Sequence, residues 1–369
     1  MNRIAIVGGG IVGASVAHRL RDAPAEVVVY ERDEPGQGTT AASAGVFSWG
    51  DGSALLPDHP LRNRAWSFYR ELVADGTLDA PRIGALAATD DPDDRPAFER
   101  MATRLRNRGI DADLLGWAVE DEVRASGIDA HGLRPDSVAV AVYSPTEVRL
   151  DPPAVVDHLL GESTRNGVEL RRETVTDVHT DGSRVSGIDA DGGRVPVDAV
   201  VNAAGPWAPA VDRLAGIELP LRHTRGPMVE IADDHDRRPF TEFETGEYVV
   251  GGRGTVVGRY DTTYGTAERL DPDAERTVDD RFLDRVETVV RERTDIARVR
   301  IRDSWVGLRT VTPDKRPVVG ETGVEGYHVA SGMSGLGVTL APAVGGLVAR
   351  SVLGKASVPA GLSPRRFDG

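Results

Sequence analysis

Gly8-Gly9-Gly10-Ile11-Val12-Gly13 lies between a short apolar run, Ile4–Val7, and a stretch with apolar residues at helical spacing, Val12–Leu20. In this G-x-G-x-x-G pattern Gly8 allows a tight turn, Gly10 lets a pyrophosphate reach the backbone, and Gly13 lets helix and strand pack closely. The helix start adds unpaired N–H groups and a partial positive charge, both suited to phosphate. Glu31, followed by Arg32, closes a second apolar run, Ala25–Tyr30. A carboxylate there can bind ribose hydroxyls and would repel a 2′-phosphate. These residues alone predict a dinucleotide site, and they leave NAD and FAD equally allowed.

Three further segments separate the two cofactors: Thr39-Thr40-Ala41-Ala42-Ser43-Ala44-Gly45, Val201-Asn202-Ala203-Ala204-Gly205-Pro206-Trp207, and Gly332-Met333-Ser334-Gly335-Leu336-Gly337-Val338-Thr339. With Gly307-Leu308-Arg309 and Thr312-Pro313-Asp314 ahead of the last, they resemble the flavin-contacting segments of the D-amino-acid oxidase, glycine oxidase and sarcosine oxidase family. The order and spacing hold from Met1 to about Leu353. The small residues of the first two segments let the chain run close to a buried cofactor. Trp207 is read as a packing residue or as one that shapes the cofactor site.

The resemblance implies FAD as cofactor, with Val175 near the adenine. It places the loop Gly332–Gly337 against the N1–C2=O edge of the flavin, at the start of a helix expected near Thr339, where free amides would favour the reduced anion. It also implies that a small amino acid or related amine gives a hydride to flavin N5, its C–N bond becoming an imine that water hydrolyses. The flavin is expected to be non-covalent: the chain has no cysteine, and Ser43-Ala44-Gly45 offers no histidine for attachment.

For substrate, the resemblance points to Arg309, whose guanidinium can hold a carboxylate by two parallel hydrogen bonds. Thr310 stands where relatives often have proline, and Met333 where many have histidine. Tyr248 and Tyr260 are expected to roof the pocket, either bonding substrate or packing with satisfied hydroxyls. Sarcosine-type relatives carry a lysine at the position of Val256, which favours a dehydrogenase that passes electrons to a quinone or a carrier protein over one that uses oxygen. Oxidation of a 2-hydroxy acid or a polyol phosphate, or a flavin-binding subunit of a larger amine dehydrogenase, are the alternatives. His223 and His328 read as strand residues.

The elements that must position these residues follow from periodicity. The first thirty residues read β-α-β, the opening of a doubly wound α/β domain. Asp151 caps a helix opening at Pro152, and Val168–Thr180 with Arg184–Ile188 alternates like antiparallel strands around Asp181-Gly182. Strands near Met228–Ile231, Tyr248–Val250 and Thr255–Tyr260 suggest a second, antiparallel sheet before the helix Asp279–Glu292. The expected architecture is a Rossmann-like FAD domain built from residues 1–82, 151–215 and 301–369, with an α+β substrate domain from 83–150 and 216–300.

Composition removes other classes. The 369 residues carry a net charge of −14, which disfavours nucleic acid and anionic membranes as partners. Without cysteine there is no disulfide and no thiolate metal site, and no metal centre is expected. The apolar stretch Gly335–Ala349 is too short and broken to span a bilayer. The opening residues run straight into a strand, so no signal peptide and a cytoplasmic location are expected. Lys315 and Lys355 are the only lysines, a depletion that a saline cytoplasm or a genome composition favouring Arg codons would equally produce, while the excess acid favours the saline cytoplasm.

Overall fold

Ile4–Val7 and Val27–Tyr30 show no polar alternation because both faces of their sheet are covered. In the computed structural model, which describes residues 2–49, 59–116, 132–134, 137–233 and 238–368, they form neighbouring central strands. Among the described residues the sheet has six strands, in the order Val318–Glu321, Tyr327–Ser331, Ala199–Asn202, Asn2–Val7, Ala25–Tyr30 and Glu169–Arg171. All neighbours are parallel except the first two.

Successive side chains point to opposite faces. Ile4, Ile6, Val27 and Val29 meet the helices Ile11–Leu20, Pro152–Arg165 and Gly337–Val352. Ala5, Val7, Val28 and Tyr30 meet a three-stranded antiparallel layer, Val175–Asp181, Arg184–Ala190 and Gly193–Val195, and the helix Ala208–Leu214. Asp151 caps the helix at Pro152 by accepting from the Ala154 amide at 3.3 Å.

The second sheet has eight described strands, from Ile301–Val311 at one edge through Arg222–Ile231, Thr255–Arg259, Glu247–Val250, Phe240–Phe243, Ala85–Thr89 and Val140–Ser144 to Asp113–Gly116. The helix Asp280–Arg293 covers one face with Phe282, Val286, Val289 and Val290, a single apolar stripe. Met228 and Tyr248 point to the other face, toward the first sheet.

Three details differ from the sequence reading. Glu169–Arg171 does not extend the antiparallel hairpin; it pairs parallel with Val28–Tyr30 and completes the edge of the first sheet. The second sheet is not wholly antiparallel, since Phe240–Phe243 runs parallel to Ala85–Thr89. The last helix opens at Gly337, two residues before Thr339. Sheet membership groups residues 301–311 with the second sheet, where they pair with Arg222–Ile231. Within the expected substrate domain, residues 117–131, 135–136 and 234–237 lie outside the described residues.

Candidate active site

The turn at Gly8–Gly13 sits where the central strand ends. Gly8 takes φ +105°, and a Cβ on Gly13 would lie 1.9 Å from the Gly8 carbonyl oxygen, so both positions require glycine. Among the described residues the amides of Gly10 and Val12 donate to no other protein atom, whereas that of Ile11 donates to Thr40 Oγ1 at 3.1 Å. Glu31 accepts from the Gly9 and Asp33 amides at 2.7 and 3.0 Å, which fixes its carboxylate beside the turn.

From this turn a cavity of about 890 Å³ runs between the two sheets. Gly8, Gly10, Ile11, Val12, Glu31 and Arg32 line one end, with Thr40, Ala42, Ser43 and Ala44 along a side. Val175, Ala203, Ala204, Gly205 and Trp207 also face it, as do Gly332, Ser334, Gly335, Leu336, Gly337 and Val338. Three sequence-predicted residues stand behind this wall. Gly13 packs the helix against the turn, and the Gly45 carbonyl accepts from the Leu150 amide at 2.8 Å. Thr339 donates to the Val46 carbonyl at 3.4 Å.

The fit to FAD rests on this cradle. It brings two helix starts to the cavity, Ile11–Leu20 and Gly337–Val352, with no acidic residue in either first turn and no side-chain cap. Helix starts of this kind attract negative charge. Trp207 does not belong to either apolar core cluster of the first sheet; its indole lies at the cavity mouth with the Arg32 guanidinium carbon 4.6 Å from its centroid.

At the opposite end Arg309 is only 9% exposed. It donates to the carbonyls of Arg225 and Arg259 at 3.1 and 2.6 Å, and its guanidinium lies flat where Gly226 has no side chain. Among the described residues no carboxylate forms an ion pair with it. Tyr260 stacks beneath, 5.2 Å from guanidinium carbon to centroid, and gives its hydroxyl proton to the Ser334 carbonyl at 2.7 Å. Burial pushes Tyr260 up to about 12 against the opposing charge of Arg309, so the phenol is neutral. Burial also raises Tyr248, which Arg309 offsets through charge and a side-chain hydrogen bond.

Sequence reasoning missed Arg62, a buried arginine on the cavity wall that donates to the Ser48 carbonyl. It lies in a helix, His59–Ala74, that carries eleven other residue types and no motif, so only the three-dimensional packing reveals it. Phe240, Glu242 and Met228 line the same region. No histidine does, among the described residues: His223 is tied to the Pro206 carbonyl at 3.0 Å, and burial holds His328 down at about 4. Neither lysine lines the cavity, and Val256 is buried among Met228, Tyr248 and Val250. Asp177, His179 and Asp189 group together outside this cavity on the hairpin Val175–Ala190, with His179 Nε2 2.7 Å from Asp189.

Residues 3–351 match the family model described as FAD dependent oxidoreductase, DAO. The chain belongs to that family. An uncharacterised oxidoreductase of Bacillus subtilis, YurR, is 28% identical over 96% of both chains. A D-amino acid dehydrogenase of Cereibacter sphaeroides is 28% identical, covering 92% of this chain and 89% of the relative. The crystal structure of glycine oxidase from Geobacillus kaustophilus superposes with a TM-score of 0.85 at 25% identity, covering 100% of each chain. The protein is therefore an FAD-dependent oxidoreductase of mixed α/β fold, as its glycine-rich turn and flavin segments led us to expect. No helix of the described residues is long and apolar enough to cross a membrane.

Proposed function

We propose that this family member oxidises the C–N bond of a small amino acid, or of a related amine that carries a carboxylate, with Arg309 as the carboxylate anchor. The observation that carries the reading is a guanidinium buried in the cavity wall with two carbonyl partners and, among the described residues, no carboxylate. A buried cation in that state gains most from an anionic ligand with two oxygens. The glycine oxidase and D-amino acid dehydrogenase relatives support an amino-acid substrate.

In this reading the Gly8–Gly13 turn takes the pyrophosphate, Glu31 the adenosine ribose, and Val175 the adenine. Ala42–Ala44 and Ala203–Gly205 flank the cofactor, and the helix start at Gly337 faces the ring. Bound there, FAD supplies the hydride acceptor. Arg309 fixes the substrate carboxylate, and the neutral phenols of Tyr248 and Tyr260 orient substrate without adding charge. With no histidine on the wall among the described residues, the amine enters the reaction as the free base, and holding it in place supplies most of the rate. Because no lysine lines the cavity, a quinone or carrier protein is the favoured electron acceptor. A saline cytoplasm suits the net charge of −14.

The test is steady-state kinetics of Arg309→Ala and Arg309→Lys with a panel of amino acids, N-methyl amino acids, 2-hydroxy acids and amines lacking a carboxylate. For carboxylate substrates KM should rise roughly a hundredfold in the alanine variant, about 2–3 kcal/mol of lost charge-assisted bonding. Flavin content should hold. Equal loss on amines without a carboxylate would overturn the anchor, and turnover confined to 2-hydroxy acids would overturn the substrate class.

A further inference from the structure

The second sheet sends the loop between Thr255–Arg259 and Asp280–Arg293 across to the nucleotide end of the cavity. Its tip, Asp273, lines that cavity and grips two residues of the nucleotide-binding half. Both Arg32 terminal nitrogens donate to its carboxylate, Nη1 at 3.3 Å, and the Trp207 indole donates at 2.9 Å. Arg32 also lies over the Trp207 ring, so all three side chains form one closed unit.

The loop is held in shape on its own side. Glu268 and His223 exchange backbone hydrogen bonds at 2.7 and 2.9 Å. Arg276 donates to the carbonyls of Asp271 and Pro272, and Arg225 to that of Thr277. Asp271 accepts from the Asp273 amide at 3.0 Å, which fixes the tip itself. A pre-shaped loop loses little further freedom on gripping its partners.

We propose that Asp273 is a clasp that closes the adenosine end of the cofactor site and sets the rate at which FAD leaves. This rests on the assignment of the cavity to FAD. Arg32 is next to Glu31, and Trp207 follows directly on Gly205-Pro206, so opening the clasp frees both walls of the same end at once. The side chain of Asp273 is 53% exposed and that of Arg32 36%, which makes the clasp sensitive to salt. Arg32 keeps a second partner, Asp33, at 3.0 Å, so release from Asp273 leaves its charge compensated.

The experiment follows FAD loss from the purified holoenzyme after dilution, by rapid desalting and flavin absorbance at timed intervals. Asp273→Asn and Asp273→Ala should each release FAD about tenfold faster than the wild type. Raising salt from about 0.1 M to about 1 M, which shortens the screening length from roughly 10 Å to roughly 3 Å, should accelerate release from the wild type and leave Asp273→Asn unchanged. In an Arg32→Gln background the Asp273→Asn change should add far less than tenfold, because only the Trp207 bond to Asp273 remains to be weakened. Wild-type release rates in both Asp273 variants, or a full effect persisting in the Arg32→Gln background, would overturn the clasp. A wild-type protein that carries no flavin would overturn the cofactor assignment first, and the clasp with it.

Discussion

Arg309 and Tyr260 are coupled through one stacked contact, 5.2 Å from guanidinium carbon to ring centroid, while the same tyrosine bonds the Ser334 carbonyl at 2.7 Å. The tyrosine thus helps to hold the proposed carboxylate anchor in register with the glycine loop, beside the bond from the Ser334 amide to the Thr310 carbonyl at 2.9 Å. Tyr260→Phe keeps the ring and loses the hydroxyl bond, worth about 1 kcal/mol, so kcat should fall about fivefold with KM little changed. Tyr260→Leu removes the ring as well and should raise KM. Stopped-flow flavin reduction distinguishes the two; a Tyr260→Phe enzyme that reduces its flavin at the wild-type rate would sever the link to the loop.

Glu31 carries two backbone bonds besides its proposed ribose contact. Glu31→Ala should weaken FAD binding by about 1.5–3 kcal/mol. Titration of the apoprotein with FAD measures this directly, and an unaltered affinity would leave Glu31 with only the turn to hold. The holoenzyme as purified, precipitated in acid, should leave its flavin in the supernatant, since the chain has no cysteine to retain it.

Reoxidation by oxygen should be slow relative to an artificial quinone acceptor. Val256, at the position where sarcosine-type relatives have lysine, is buried among apolar side chains and supplies no charge. Arg62 and Arg309 do bring cations to the wall, but both are held by backbone carbonyls. Stopped-flow mixing of substrate-reduced enzyme with air-saturated buffer decides the matter. Oxygen consumption that keeps pace with turnover, with matching peroxide, would make the protein an oxidase.

Asp212 sets a pH signature away from the cavity. It is buried against Asn202 and Tyr327, and burial raises its pKa from 3.8 to about 6. The folded state thus holds its proton more tightly than the unfolded chain. Its contribution to stability is complete below the unfolded value and is lost as pH rises through about 6, by as much as about 3 kcal/mol. Thermal melts of the wild type and Asp212→Asn should diverge in favour of the variant between pH 4 and pH 7, on the order of that energy. Parallel curves would place the titration elsewhere.

The glycine turn, Glu31 and the three flavin segments were legible because each needs small residues in a fixed order, and that order survives in one dimension. Arg62 was not, because a helical arginine in an arginine-rich chain carries no local mark. Glu169–Arg171 was misread for a related reason. Three residues cannot express a period, and only the vacant edge beside Val28–Tyr30 decides where they pair. Asp273 was equally silent, as one aspartate in an acidic loop; its meaning comes from Arg32 and Trp207, which arrive from distant parts of the chain.

The strand at Asn2–Val7 precedes every other strand of its sheet in the sequence yet lies in the middle of it, with Arg3 bonded to Asp198, 195 positions away. The next strand outward, Tyr327–Ser331, emerges later still. Synthesis proceeds from the N-terminus, so this strand must wait with one side open until Ala199–Asn202 has left the ribosome. Such distant pairing is slow to form. The cradle proposed for FAD is complete only once its last wall, residues 332–338, has been made. Cofactor capture must therefore wait for that wall, long after the turn at Gly8–Gly13 that would receive the pyrophosphate has been made.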